Sequence, residues 1–273
     1  MKRKTRDFTG KEAVMKLAMI GSGAAGSVFA AYLKKGGADM YLVDKYRAHM
    51  EKTEASGLKF ISPEGEELIK GFHTAQSPES IGKMDIVILM VKATQTKALM
   101  SSVMSAVGDE TVLVSLQNGL GNEDILAEFL PKSRIICGFG TIGTELPEPG
   151  VCVSKPESGV IMNFGPAEKS ELNDAAGRYL QQTFIKGGCE ARYVENIKPL
   201  IWKKAISNSG YNSLSALSGL NVGKLLESEK GQSLIRKVWE EGCAVCLSNP
   251  AAFLPDISYK TAALFICQNF SHI

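Results

Sequence analysis

The chain has 273 residues, 44% of them hydrophobic and 22% charged, with a formal net charge of +2. That length holds one large domain or two ordinary ones with ample core, and so balanced a charge gives no argument for nucleic acid or an acidic membrane surface as partner. No apolar run reaches the roughly 18–20 residues of a membrane span, and the six cysteines (137, 152, 189, 243, 246 and 267) are not spaced as a disulfide framework. A reduced, cytoplasmic enzyme is the class that remains.

Residues 1–14, MKRKTRDFTGKEAV, are polar and basic and lack the apolar stretch of a secretory leader. They read as a flexible tail ahead of Met15, which would serve as a natural start. KLAMI (16–20) predicts a strand, GSGAAG (21–26) a turn opening a helix through Lys35, and ADMYLVD (38–44) a second strand ending in an acid. LKFIS and EELIKGF flank PEG as a hairpin. MDIVILMVK (84–92) and TVLVSLQNG (111–119) are buried strands on either side of a helix, TQTKALMSSVMSAV. From Ile135 to Gly165, β-rich segments broken by Gly and Pro predict strands that extend or close the sheet. The helix KSELNDAAGRYLQQTF and the strand EARYV then complete a first domain, 15–195. Beyond it helical periodicity alone continues over 198–217, 222–248 and 256–270, with Pro250 and Pro255 between the last two. The fold class expected is α/β: a Rossmann-type doubly wound parallel sheet, followed by an all-helical C-terminal domain, 196–273.

GSGAAG lies between a strand and a helix, with Asp44 ending the next strand, the setting in which GxGxxG has a mechanism. Gly21 makes the tight turn, Gly23 lets the backbone approach a pyrophosphate, and Gly26 lets helix and strand pack closely. Ser22, Ala24 and Ala25 complete the loop, whose helix N-terminus offers N–H groups to phosphate. Ligands of open α/β sheets bind at the carboxyl ends of strands. Two further strand ends carry polar residues: Lys92 and Gln95 in VKATQ, and Gln117–Asn118 in SLQNGLG.

In WKKAISNSGYNSLSAL (202–217), helical spacing puts Lys204, Asn208 and Asn212 at i, i+4 and i+8, on one face beside Tyr211 and Ser215. Trp202, Ala205, Ile206, Ala216 and Leu217 form the expected core stripe. Asn and Ser are poor helix formers, so a merely solvated face would sooner carry Glu, Lys or Gln.

GSGAAG, VKATQ, QNGLG and WKKAISNSGYNSLSAL, in this order and spacing, strongly resemble the ketopantoate reductase (2-dehydropantoate 2-reductase) family over residues 15 to about 270. The resemblance implies NADPH-dependent reduction of the 2-keto group of ketopantoate, on the way to pantothenate, in a cleft between a Rossmann and a helical domain. It places the catalytic lysine at Lys204, the substrate-binding amides at Asn208 and Asn212, and the asparagine of the NG turn at Asn118, near both substrate and cofactor. Lys92 and Gln95 match cleft residues close to both ligands. Lys45 matches the arginine that binds the 2′-phosphate, with Arg47 nearby, whereas Asp44 suits the ribose hydroxyls of NADH; NADPH is the expected cofactor and NADH the alternative. A neutral residue at 208 keeps the i, i+4 position from tying up Lys204 in an ion pair.

Two departures accompany the resemblance. The family's C-terminal serine and glutamate would fall near Ser271–His272 and beyond Ile273, so the helical domain reads as C-terminally truncated. A further family asparagine aligns with Val222, beside Asn221. A reductase of another branched 2-keto acid, or a non-catalytic NAD(P)-binding protein, are the alternative functions. Cys243 and Cys246 read as small buried thiols, and His49, His73 and His272 have no ligand spacing, so no metal is expected. The apolar neighbourhood of Trp239 suggests a homodimer through the helical domain.

Overall fold

The computed structural model describes residues 14–156 and 161–248. The expected tail, apart from Val14, and the expected helix 256–270 with its flanking prolines lie outside these, as does the Ser271–His272 position.

The first unit is built on an eight-stranded sheet. Its strands are β1 (Lys16–Ile20), β2 (Asp39–Val43), β5 (His73–Ala75), β6 (Met84–Leu89), β7 (Val107–Ser115), β8 (Ile135–Gly140), β11 (Met162–Pro166) and β12 (Ala191–Tyr193). They lie in the order β12-β11-β8-β7-β6-β1-β2-β5. β3 (Leu58–Ser62), β4 (Gly65–Ile69), β9 (Ile142–Glu148) and β10 (Val151–Pro156) form a second sheet, β4-β3-β10-β9. The helices of this unit are α1 (Ala24–Lys35), α2 (Arg47–Ser56), α3 (Thr96–Val103), α4 (Asn122–Ala127) and α5 (Glu171–Lys186).

β1, β6 and the C-terminal half of β7 carry near-continuous buried runs because both faces of the sheet are covered there. Met19, Phe29, Leu33, Phe164 and Phe184 are buried in the resulting core. Between Ile135 and Gly165 only β8 and β11 extend the main sheet, and they pair antiparallel. β9 and β10 instead join the hairpin β3–β4. The reason is visible in their periodicity: Cys152 and Ser154 of β10 are buried while Val151 and Val153 are half-exposed, the alternation of a sheet with one covered face. Among the described residues the connection from β8 to β11 holds β9 and β10 and no helix, and the return of β11 is antiparallel.

The second unit begins at Asn196, with Asn118–Leu120 grouped with it. It contains α6 (Lys198–Ser218), α7 (Val222–Leu226) and α8 (Glu229–Ser248). The segment expected as one helix over 222–248 is therefore two. Asn221 caps α7 by accepting from Lys224 N, and the Gln232 amide donates to the Leu226 carbonyl at 2.7 Å where α7 ends. Ile206, Leu225, Ile235, Trp239, Cys243 and Cys246 form the core of this unit. Trp239 is only 3% exposed. It rests against Gly210, where any Cβ would come within 2.5 Å of the indole nitrogen, and it meets Tyr211 edge-on at 5.2 Å. The cover that suggested a homodimer at Trp239 comes from the same chain.

Candidate active site

The chain lays down β1, β2 and β5 outward on one side, then returns to place β6 beside β1 on the other. At such a reversal the loops leaving the two central strands part and open a crevice. Here those loops are Gly21–Gly23 and Met90–Lys92. Where they leave the strands the two backbones still lie side by side: a Cβ on Gly21, whose φ is +94°, would lie 2.6 Å from the Val91 nitrogen. A Cβ on Gly26 would lie 2.0 Å from the Gly21 carbonyl oxygen, so α1 meets its own loop only through glycine. Gly23 differs from both. It is exposed, and a Cβ there would meet nothing within 4 Å, so the space above it is open to a ligand.

The start of α1 is electrostatically bare. Gly23 occupies the N-cap without a side-chain hydrogen bond, and no acid lies in the first turn. By contrast α5 is capped by Ser170, which accepts from Asn173 N, and carries Glu171 and Asp174 in its first turn. Half-buried Ala24 and Ala25 begin α1, while Ser22 is fully buried and its hydroxyl donates to the Met19 carbonyl at 3.1 Å. An anion at this terminus would meet backbone N–H groups and no carboxylate from the helix's own first turn, which fits the pyrophosphate of a dinucleotide.

Asp44 follows β2 half-buried, one carboxylate oxygen accepting from Tyr46 N at 2.8 Å. Lys45 is exposed, and Arg47 is held by Glu51 at 2.6 Å, one turn further along α2. Lys92 and Gln95 are exposed in the loop after β6, where Gln95 N donates to the Lys92 carbonyl. Behind them Gln117 is buried. Its amide donates to the Val91 carbonyl at 2.6 Å and to the Thr96 hydroxyl at 2.8 Å, and its carbonyl accepts from Ser115. One side chain thus fixes the loops after β6 and β7 together, and Asn118 follows it, exposed. The first unit brings the glycine loop, Asp44, Lys92 and Gln95 to one end of one sheet.

Lys204, Asn208 and Asn212 lie on the second unit. α6 is continuous through them, spacing them about 6 Å apart along its axis. Lys204 and Asn208 are half-buried and Asn212 is exposed. The core side of α6 is shorter than the expected stripe: Ile206 and Gly210 are buried, whereas Leu217, three turns beyond Ile206 on the same face, is 84% exposed and Ala216 is also exposed. Gly210 seats Trp239, and Tyr211 and Leu214 pack against the same core, which ends before Ala216 and Leu217. The Lys204–Asn208–Asn212 face points away from this core.

Ser27, His49 and Gly150 have no part in the predicted site, yet all three are buried beside the glycine loop's helix. His49, on α2, is fully buried. Gly150 N donates to its Nδ1 at 2.9 Å, and its Nε2 lies 2.9 Å from the Ser27 hydroxyl, which donates to the Ser22 carbonyl at 2.8 Å. Burial pushes the His49 pKa down, opposed only in part by the Asp44 carboxylate. The sequence hint was a lone histidine within the first turn of the helix that follows Asp44.

Among the described residues no group of three or more His, Cys, Asp or Glu side chains is placed to hold a metal ion, and no helix is long and apolar enough to cross a membrane. The family model described as ketopantoate reductase PanE/ApbA matches residues 17–168, and the one described as ketopantoate reductase PanE/ApbA C terminal matches 196–271. A 2-dehydropantoate 2-reductase of Pyrococcus horikoshii is 32% identical over 244 residues, 89% of this chain and 77% of the relative. One of Streptococcus pyogenes serotype M6 is 29% identical over 230 residues, 83% of this chain and 72% of that protein. The crystal structure of 2-dehydropantoate 2-reductase from Geobacter metallireducens superposes with a TM-score of 0.76 at 26% identity, over 93% of this chain and 83% of the other. A ternary structure of D-mandelate dehydrogenase with NADH and anilino(oxo)acetate superposes with a TM-score of 0.77 at 23% identity, over 94% and 80%, a likeness of fold. The two family models together span both units, and this chain belongs to the ketopantoate reductase family.

Proposed function

We propose that the protein reduces the 2-keto group of ketopantoate to pantoate with NADPH, in the cytoplasm. The observation that carries this reading is the polar face of α6, which holds one lysine and two asparagines in helical register, in a chain whose other unit presents an open glycine loop at a sheet reversal. When bound, the dinucleotide would supply the hydride for the keto carbon. Gly23 and the bare start of α1 would hold its phosphates, with Lys92 and Gln95 at the neighbouring strand end. As the C=O double bond becomes C–H and C–O⁻, negative charge grows on oxygen; the Lys204 ammonium stabilises it and passes its proton to give the hydroxyl. Asn118, Asn208 and Asn212 orient the substrate's carboxylate and hydroxyl with neutral hydrogen bonds that do not compete for the lysine.

Lys45 is the cation assigned to the 2′-phosphate, as a point charge rather than a fork. One observation favours NADH as a second reading. Asp44 follows β2, the position at which an acid suits ribose hydroxyls, and Arg47 is already engaged by Glu51. Measuring kcat/KM for both cofactors, with ketopantoate and a panel of branched 2-keto acids, tests both the cofactor and the substrate. Preference for another keto acid would reassign the substrate. Cofactor binding without turnover on any keto acid would leave a nucleotide-binding protein.

A further inference from the structure

The hydrogen-bond chain through His49 has one consistent direction. Gly150 N–H donates to Nδ1, so Nδ1 carries no proton and Nε2 carries it. Nε2–H then donates to the Ser27 hydroxyl, leaving that oxygen's single proton for the Ser22 carbonyl. Ser22, Ser27 and His49 are all fully buried, so no water competes for these groups. The Tyr46 ring covers the imidazole, 6.1 Å away and nearly parallel.

The last link matters for the loop. Among the described residues there is no cis peptide bond, so the carbonyl and N–H of the Ser22–Gly23 peptide point in opposite directions. With the Ser22 carbonyl drawn inward to Ser27, the Gly23 N–H faces outward, where a Cβ on Gly23 would find open space. Without the hydroxyl the carbonyl has no donor in the core, and the peptide is free to turn over. A Ser27 hydroxyl lacking its imidazole partner could instead donate back to the Gly23 carbonyl, four residues earlier, and release Ser22. His49 decides between these two.

We infer that His49 is a positioning residue for dinucleotide binding: through Ser27 it sets the Ser22–Gly23 peptide with its N–H toward the pyrophosphate, and it ties that setting to the β9–β10 turn at Gly150. The inference rests on the dinucleotide reading of the glycine loop. His49 touches neither ligand nor reacting atoms, so its effect falls on cofactor affinity rather than on chemistry.

The test compares the full chain with His49→Phe, which keeps an aromatic ring but neither nitrogen, and with Ser27→Ala. NADPH and NADH binding are followed by nicotinamide fluorescence, and kcat and both KM values by steady-state kinetics. Each variant is expected to raise the dissociation constant and the KM for the dinucleotide about 5- to 20-fold, as loss of a buried hydrogen bond does. The keto acid KM and the kcat at saturating dinucleotide should change less than about 2-fold. The double variant should be no weaker than about 2-fold beyond the weaker single one, because the two residues act through one carbonyl. Dinucleotide affinity within 2-fold of the parent in both variants would overturn the inference, as would equal changes in all three kinetic constants. If the variants do not fold, NMR of the His49 ring in the parent decides: the neutral Nε2–H tautomer is expected, and an Nδ1–H tautomer overturns the inference. A parent chain that binds neither dinucleotide would overturn the reading of the loop itself, and this inference with it.

Discussion

Substituting Gly26 and Gly23 with alanine in turn should separate stability from binding within one loop. At Gly26 the added methyl would lie 2.0 Å from the Gly21 carbonyl oxygen and 3.0 Å from its carbon, both backbone atoms. Restoring even a tight 3.0 Å contact to the oxygen moves α1 or the loop by about 1 Å, in a region packed against buried Met19, Val28 and Phe29. Overpacking of this kind costs about 1–3 kcal/mol. At Gly23 the methyl meets nothing within 4 Å, and the residue sits at φ −71°, which any L-residue adopts. Removing a glycine's freedom from the unfolded chain contributes about 0.4–1 kcal/mol in favour of folding, offset by alanine's poorer fit than glycine at an N-cap, so Gly23→Ala should change stability by less than about 1 kcal/mol. Its methyl, however, stands where the pyrophosphate must approach the backbone. Denaturant unfolding and dinucleotide titration of both variants are the assays. Gly26→Ala should lose about 1–3 kcal/mol, whereas Gly23→Ala should keep its stability and bind NADPH at least about 10-fold more weakly, a penalty of about 1.4 kcal/mol. Equal destabilisation of the two variants, or parental affinity in Gly23→Ala, would refute the assignment of these roles.

Other expectations follow from the same structure. Because burial lowers the His49 pKa below the roughly 6.5 of an unfolded histidine, the unfolded chain binds more protons in between. Stability should therefore rise with pH through that window and level off above it; unfolding curves of the parent minus those of His49→Phe, showing the opposite slope, would contradict this. Burial pushes the Cys152 and Cys189 thiols up to about 12, so neither should react with a disulfide reagent near neutral pH until the chain unfolds; rapid labelling in the native state would count against that packing. Glu51→Gln releases Arg47 from its ion pair and should shift kcat/KM toward NADPH relative to NADH. An unchanged cofactor ratio would remove Arg47 from the discussion of specificity.

The sheet core was legible because strands covered on both faces carry near-continuous apolar runs, as IVIL (86–89) does in β6. The glycine loop was legible because its chemistry is local: turn, N–H groups and helix start lie within six residues. What the sequence hid depends on contacts distant along the chain. Ser154 of β10 faces inward because it meets the Tyr32 hydroxyl, 122 residues away. The core of the helical unit is set by the fit of Trp239 to Gly210, and periodicity alone placed Leu217 in it, although that residue lies on the right face but past the point where the core ends. His49 was judged by its spacing to other histidines, a rule for metal ligands, while its partners are a serine hydroxyl and a backbone N–H 101 residues on.

The central claim is that Lys204 protonates the oxygen of a reduced 2-keto group. Its most direct measurement is the turnover of ketopantoate by Lys204→Ala beside the parent, both at saturating NADPH, with NADPH affinity determined separately. The account predicts a kcat lower by about 10²–10⁴-fold with NADPH affinity within about 2-fold of the parent, as for removal of a general acid. Turnover within a few-fold of the parent would contradict it.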